Sequence, residues 1–146
     1  MDDALEKLVR RRAGNSCEYC RLPQRFSRLP FSIDHVIARQ HQGPTIESNL
    51  ALACAICNRH KGPNIAGIDP QTKQMIRLFH PRRDVWSNHF RWSGPAVIGL
   101  TDVARATVAV LAINHPAQTA IRNALINEGE LPARWQDTPA KEPESL

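Results

Sequence analysis

Apolar residues first fall into a helical rhythm. Leu5, Leu8 and Val9 recur at i, i+3 and i+4, one face of a helix predicted over 2–13. Asp2 and Asp3 stand at its positive end and Arg10, Arg11 and Arg12 at its negative end, as the helix dipole favours, and Gly14-Asn15 stops it. Residues 17–30, broken by Pro23 and Pro30, predict irregular chain. The β-branched and aromatic run FSIDHVIA (31–38) predicts a strand, and RQHQGPTIES (39–48) a loop with Gly43-Pro44 at its tip. NLALAC (49–54) predicts a second short strand, and AICNRHK (55–61) a short helix closed by Gly62-Pro63. The central block therefore reads strand, loop, strand, helix.

Beyond it, GIDPQTKQ (67–74) carries turn residues, and 75–79, 88–92 and 96–100 predict strands. Thr101-Asp102 caps a helix predicted from 103 to about Asn114, and Pro116 opens another through about Glu128, ended by Gly129. The tail 137–146, Pro-rich and acidic, is expected to be disordered. The pattern predicts a single α+β domain over 1–136, with a core at 17–62 and an extension of short strands and two helices at 63–136.

Composition narrows the class. A chain of 146 residues with 42% hydrophobic and 23% charged content suits one compact globular domain. No apolar run reaches the length of a membrane span, and the N-terminal stretch lacks an apolar signal core, so a cytoplasmic location is expected. The formal charge is +5. Between Lys7 and Asn127, 17 Lys and Arg stand against 6 Asp and Glu, a net of +11. Of the 19 basic residues 15 are Arg, whose planar fork matches phosphate oxygens. A polyanionic partner follows, with nucleic acid first.

The four cysteines form two matched pairs, Cys17/Cys20 and Cys54/Cys57, each C-x2-C. In a reducing compartment such pairs favour metal over disulfides. Four thiolates suit tetrahedral zinc and leave no open position, so that ion is expected to be structural and to clamp the chain between the knuckles. His60, three residues after Cys57, is an alternative ligand. His41 is a candidate extra ligand or phosphate contact, while His80, His89 and His115 read as structural or surface residues. Trp86, Phe90 and Trp92 read as core rather than as base-stacking residues.

Within the clamped loop Asp34-His35 ends the first strand and Asn49 starts the second. Asn58 directly follows Cys57 on the short helix. At about 100° per residue the two face adjacent directions, so Asn58 can address a second site beside the zinc, with Lys61 on the same side.

The elements CEYC, IDHVIA and SNLALACAICNRHKG, in that order over residues 17–62, resemble the HNH endonucleases, a branch of the ββα-metal (His-Me finger) nucleases. The stretches LFHPRRDVWSNHF and GLTDVARATVAVLAIN also look like the C-terminal extension of some bacterial HNH proteins. The resemblance implies a ββα-metal fold in which His35 is the general base, Asp34 and Asn58 hold a catalytic Mg²⁺ or Mn²⁺, and Asn49 fixes the loop that orients His35. It also implies a DNA substrate, with RNA left open, and a monomer or homodimer. Lys61, Arg59 and Arg39 become candidate phosphate contacts, a solvated helix end being the other reading for Lys61. Asn58 stands where many members have His, which shifts the expected ion towards oxygen-loving metals. The competing readings are a non-catalytic, zinc-stabilised nucleic-acid-binding module and a small scaffold docking through its C-terminal helices.

Overall fold

The computed structural model describes residues 1–131, so the expected tail at 137–146 lies outside the described residues. The architecture is α+β. Helix α1 (Asp3–Arg12) precedes an irregular stretch holding one 3-10 turn at Gln24–Phe26. Strands β1 (Ser32–His35) and β2 (Leu50–Ala53) pair antiparallel, with Asp34 opposite Ala51 and His35 opposite Leu50. Helix α2 (Ala55–Lys61) follows at once, its N-cap Cys54 accepting from Cys57 N–H. This is the expected strand, loop, strand, helix order. Among the described residues, no helix is long and apolar enough to cross a membrane.

Strand β1 is shorter than the run 31–38 suggests. Past His35 the backbone leaves β2 and bonds to Asn49: Val36 N–H donates to the Asn49 carbonyl at 2.9 Å and Ile37 N–H to Asn49 Oδ1 at 2.9 Å. Asn49 Nδ2 donates in turn to the carbonyls of Ile37 (3.0 Å) and Pro44 (2.9 Å). One buried amide thus fixes both ends of the 36–49 loop. Gly43 packs so tightly here that a Cβ would lie 1.7 Å from the Ile37 carbonyl oxygen. Gly43→Ala is therefore expected to displace the loop and lower stability by about 1–3 kcal/mol. An unchanged melting temperature would refute that packing argument.

The arginines ending α1 brace the helix against the core. Arg12 donates to the carbonyls of Glu47 (2.9 Å) and Leu50 (2.6 Å), and Arg10 to that of Phe31 (3.0 Å). Only Arg11 of the three is exposed.

The extension adds two further antiparallel hairpins, β3 (Ala66–Ile68) with β4 (Met75–Arg77) and β5 (Phe90–Ser93) with β6 (Ala96–Gly99). Here the structure corrects the pattern. The segment 67–74, read as turn, begins inside β3. The first half of the expected strand 88–92 belongs to a helical turn, α3 (Trp86–His89). That turn brings Trp86 and Phe90, four residues apart, to a ring-centroid distance of 5.0 Å. Both are buried with Trp92, as the core reading expects. Helix α4 (Asp102–Val110) stops short of Asn114, because Asn114 is held by Val97: it accepts from Val97 N–H at 2.9 Å and donates to the Val97 carbonyl at 2.7 Å. Helix α5 (Pro116–Asn127) ends the described fold, capped by the His115 ring.

Candidate metal centre and active-site cleft

The irregular stretch after α1 and the start of α2 bring the two cysteine knuckles together. The sulfurs of Cys17, Cys20, Cys54 and Cys57 all lie within 4.8 Å of one another, and all four residues are buried. Cys20 Sγ and Cys54 Sγ are 3.7 Å apart. A disulfide needs about 2.05 Å. A tetrahedral ion with metal–sulfur bonds of about 2.3 Å needs an edge of about 3.8 Å. In each knuckle a backbone amide points at the first sulfur, Cys20 N–H at Cys17 and Cys57 N–H at Cys54, both at 3.4 Å. The four cysteines are positioned to form a metal site. His60 stands outside the group, its Nδ1 2.9 Å from the Ile56 carbonyl.

The same knuckle supports a second site. Glu18 takes part in the hairpin, its carboxylate accepting from Leu52 N–H at 2.8 Å and pairing with Arg82 of the extension. Tyr19 is fully buried, and its hydroxyl donates to Asp34 Oδ2 at 2.6 Å. Its carbonyl accepts from Trp86 Nε1–H at 2.9 Å, tying the knuckle to the extension. Burial, then Asp34, pushes the Tyr19 phenol well above its ordinary value, so it stays a hydrogen-bond donor.

Asp34, His35 and Asn58 line one open cleft, with Arg39, Gln40 and Gly62 at its edges. Asp34 is buried; burial raises its carboxyl pKa, opposed by Lys61 and the Tyr19 hydrogen bond. His35 is half-buried, its Nε2 2.8 Å from the Thr45 hydroxyl. Burial, then the Arg39 charge, lowers its pKa from the ordinary imidazole value, with Asp34 acting against them. The Asn58 side-chain amide makes no hydrogen bond to any described residue, while its backbone is held by Cys54 and Gly62. Asn49 sits behind the cleft, in the loop contacts described above.

Residues 17–64 match the family model of the HNH endonucleases. Comparison with curated proteins and with solved structures found no match. The HNH match spans both knuckles, the β1–β2 hairpin and α2. The extension beyond Asn64 lies outside it.

Within the HNH segment the expected phosphate contacts divide. Arg39 and Arg59 are exposed, Arg39 at the cleft. Lys61 is neither a phosphate contact nor a solvated helix end: it is 1% exposed. Its ammonium pairs with Asp34 at 3.2 Å and donates to the carbonyls of Val36 (3.0 Å) and His35 (3.3 Å). A buried ammonium needs such partners, and these spend all its donors. Tyr19 and Thr45 are the site residues that sequence reasoning missed, and for Lys61, which it selected, it missed the inward orientation. Tyr19 lies inside a cysteine knuckle and Thr45 in a polar loop, and neither position signals contact with the Asp-His pair.

Proposed function

We propose that the chain is a metal-dependent HNH endonuclease that hydrolyses DNA phosphodiester bonds. The observation that carries this reading is the convergence of Asp34, His35 and Asn58 on one cleft beside the four-sulfur group. The sulfurs suit structural zinc, a closed tetrahedral site that leaves no position for substrate.

The donor set of the cleft fits a hard divalent ion. Asn58 offers an uncommitted amide oxygen. Asp34 Oδ1 carries only a 3.3 Å contact from Lys61, which leaves lone pairs for a cation. Asp34 and Asn58 would hold Mg²⁺ or Mn²⁺, which take oxygen ligands and tolerate few protein charges. When bound, such an ion supplies charge stabilisation to a phosphorane-like transition state and the departing oxygen.

The remaining chemistry belongs to the chain. His35 takes the proton of the attacking water. Its lowered pKa keeps the imidazole neutral and ready to accept. With Nε2–H donating to Thr45, Nδ1 holds the lone pair that a base requires. Tyr19 and Lys61 orient the Asp34 carboxylate from behind, while Arg39 and Arg59 offer charge to the phosphate backbone. The net +11 of the central stretch supports a nucleic-acid substrate.

Nicking of supercoiled plasmid with and without Mg²⁺ tests the reading. Activity dependent on the divalent ion and lost in EDTA is expected. Asn58→Ala is expected to be severely impaired at low Mn²⁺, to recover partly at high Mn²⁺, and to bind Mn²⁺ more weakly by electron paramagnetic resonance. Salt-sensitive DNA binding with no nicking under any divalent ion would favour the non-catalytic binding module instead.

A further inference from the structure

The segment following His35 has a second face. While His35 and Arg39 look into the cleft, Val36 and Ile37 wall a separate, half-enclosed cavity of about 350 Å³ between the HNH segment and the extension. Ile65, Leu78 and Phe79 complete its apolar lining. Its volume stands at the small end of ligand sites, enough for one compact group.

The rest of the lining is polar: Lys61, Arg77, His80, Arg83 and Asp84. His80 is 6% exposed and lines the cavity. Its Nδ1 accepts from Arg82 N–H at 3.2 Å, which places the ring proton on Nε2. No other described residue accepts a hydrogen bond from that N–H. Burial first, then the neighbouring Arg83 charge, lowers the His80 pKa and keeps the ring neutral, with one donor. The other charged groups of the lining are nearly all committed. Lys61 is spent on Asp34 and two carbonyls, and Arg77 is held by both Asp84 oxygens at 2.7 and 3.0 Å. Arg83, exposed at the rim, makes no side-chain hydrogen bond or ion pair to any described residue.

We propose that this cavity seats one nucleobase of the substrate strand, packed between the apolar walls and accepting a hydrogen bond from His80 Nε2–H, with an adjoining phosphate at Arg83. The class follows from the lining: a small flat group with an acceptor edge and a neighbouring negative charge. The identity of that group as part of a substrate rests on the nuclease reading. His35 lines the cleft and the next two residues, Val36 and Ile37, line the cavity, so the base sits beside the cleft. A base in the cavity is unstacked, so single-stranded or distorted DNA is the form that fits.

The test uses the zinc-loaded full chain without Mg²⁺ or Mn²⁺, titrated with each deoxynucleoside 5′-monophosphate and with ribose 5-phosphate. The His80 imidazole resonances are followed by NMR. At least one nucleotide is expected to shift them saturably, and ribose 5-phosphate is not. Ile65→Trp, which fills the cavity from a partly exposed position, is expected to weaken nucleotide binding at least tenfold with zinc content and melting temperature unchanged. Equal responses to ribose 5-phosphate, unchanged binding by Ile65→Trp, or no shift with any nucleotide would each overturn the proposal. Because no catalytic ion is present, the two readings fail separately. A chain that nicks plasmid yet takes no nucleotide overturns the pocket alone. One that takes nucleotide through His80 yet never nicks supports the pocket and removes the nuclease.

Discussion

His35→Ala is expected to abolish cleavage while zinc content, fold and DNA binding persist. The imidazole is half-buried, and among the described residues its one side-chain hydrogen bond is to the exposed Thr45 hydroxyl, so its loss leaves no buried polar group unpaired. Asp34, Lys61 and Tyr19 keep their mutual bonds without it. General-base contributions run about 10²–10⁴-fold, and the loss should appear in kcat rather than in substrate affinity. Single-turnover cleavage with protein in excess separates the two. Circular dichroism and zinc analysis check the scaffold. Normal cleavage by His35→Ala would remove the base from the proposed mechanism and the nuclease assignment of this cleft with it.

Cys54→Ser is expected to unfold the domain rather than merely slow it. Cys54 supplies one sulfur of the metal group and also caps α2, accepting from Cys57 N–H. Structural zinc contributes on the order of 10 kcal/mol or more to such folds, comparable to the whole stability of a domain this size. Released knuckles would free Tyr19 from Asp34 and Glu18 from Leu52, so the cleft would go with the metal site. Elemental analysis should find about one zinc per wild-type chain. Loss of the metal, a collapsed near-UV signal and loss of activity together are the expected outcome for the variant. A well-folded, zinc-free Cys54→Ser protein would show that the four sulfurs are not what holds the domain together.

Local pattern carried the central block because local physics dictates it. The C-x2-C spacing, the β-branched and aromatic run around Asp34-His35 and the Gly62-Pro63 stop specify knuckle, strand and helix, and the observed elements follow in that order, with β1 cut to its first half. The gathering of Asp34, His35 and Asn58 was legible too, since once two knuckles share an ion the hairpin and α2 between them have little freedom left. What surrounds those residues was not legible. Whether Lys61 points to phosphate or inward depends on the acceptors that meet it, and those are carbonyls 25 and 26 residues earlier. The Tyr19–Asp34 bond, the early end of β1 at His35, past which the backbone bonds to Asn49, and the α3 turn that stacks Trp86 on Phe90 likewise arise from contacts distant in sequence or from core packing. A propensity of tenths of a kcal/mol per residue yields to a buried hydrogen bond or ring contact worth about a kilocalorie or more. The residues that line the cleft were therefore written into short motifs, while their orientation and the cavity beside them were decided only when the extension closed against the central block.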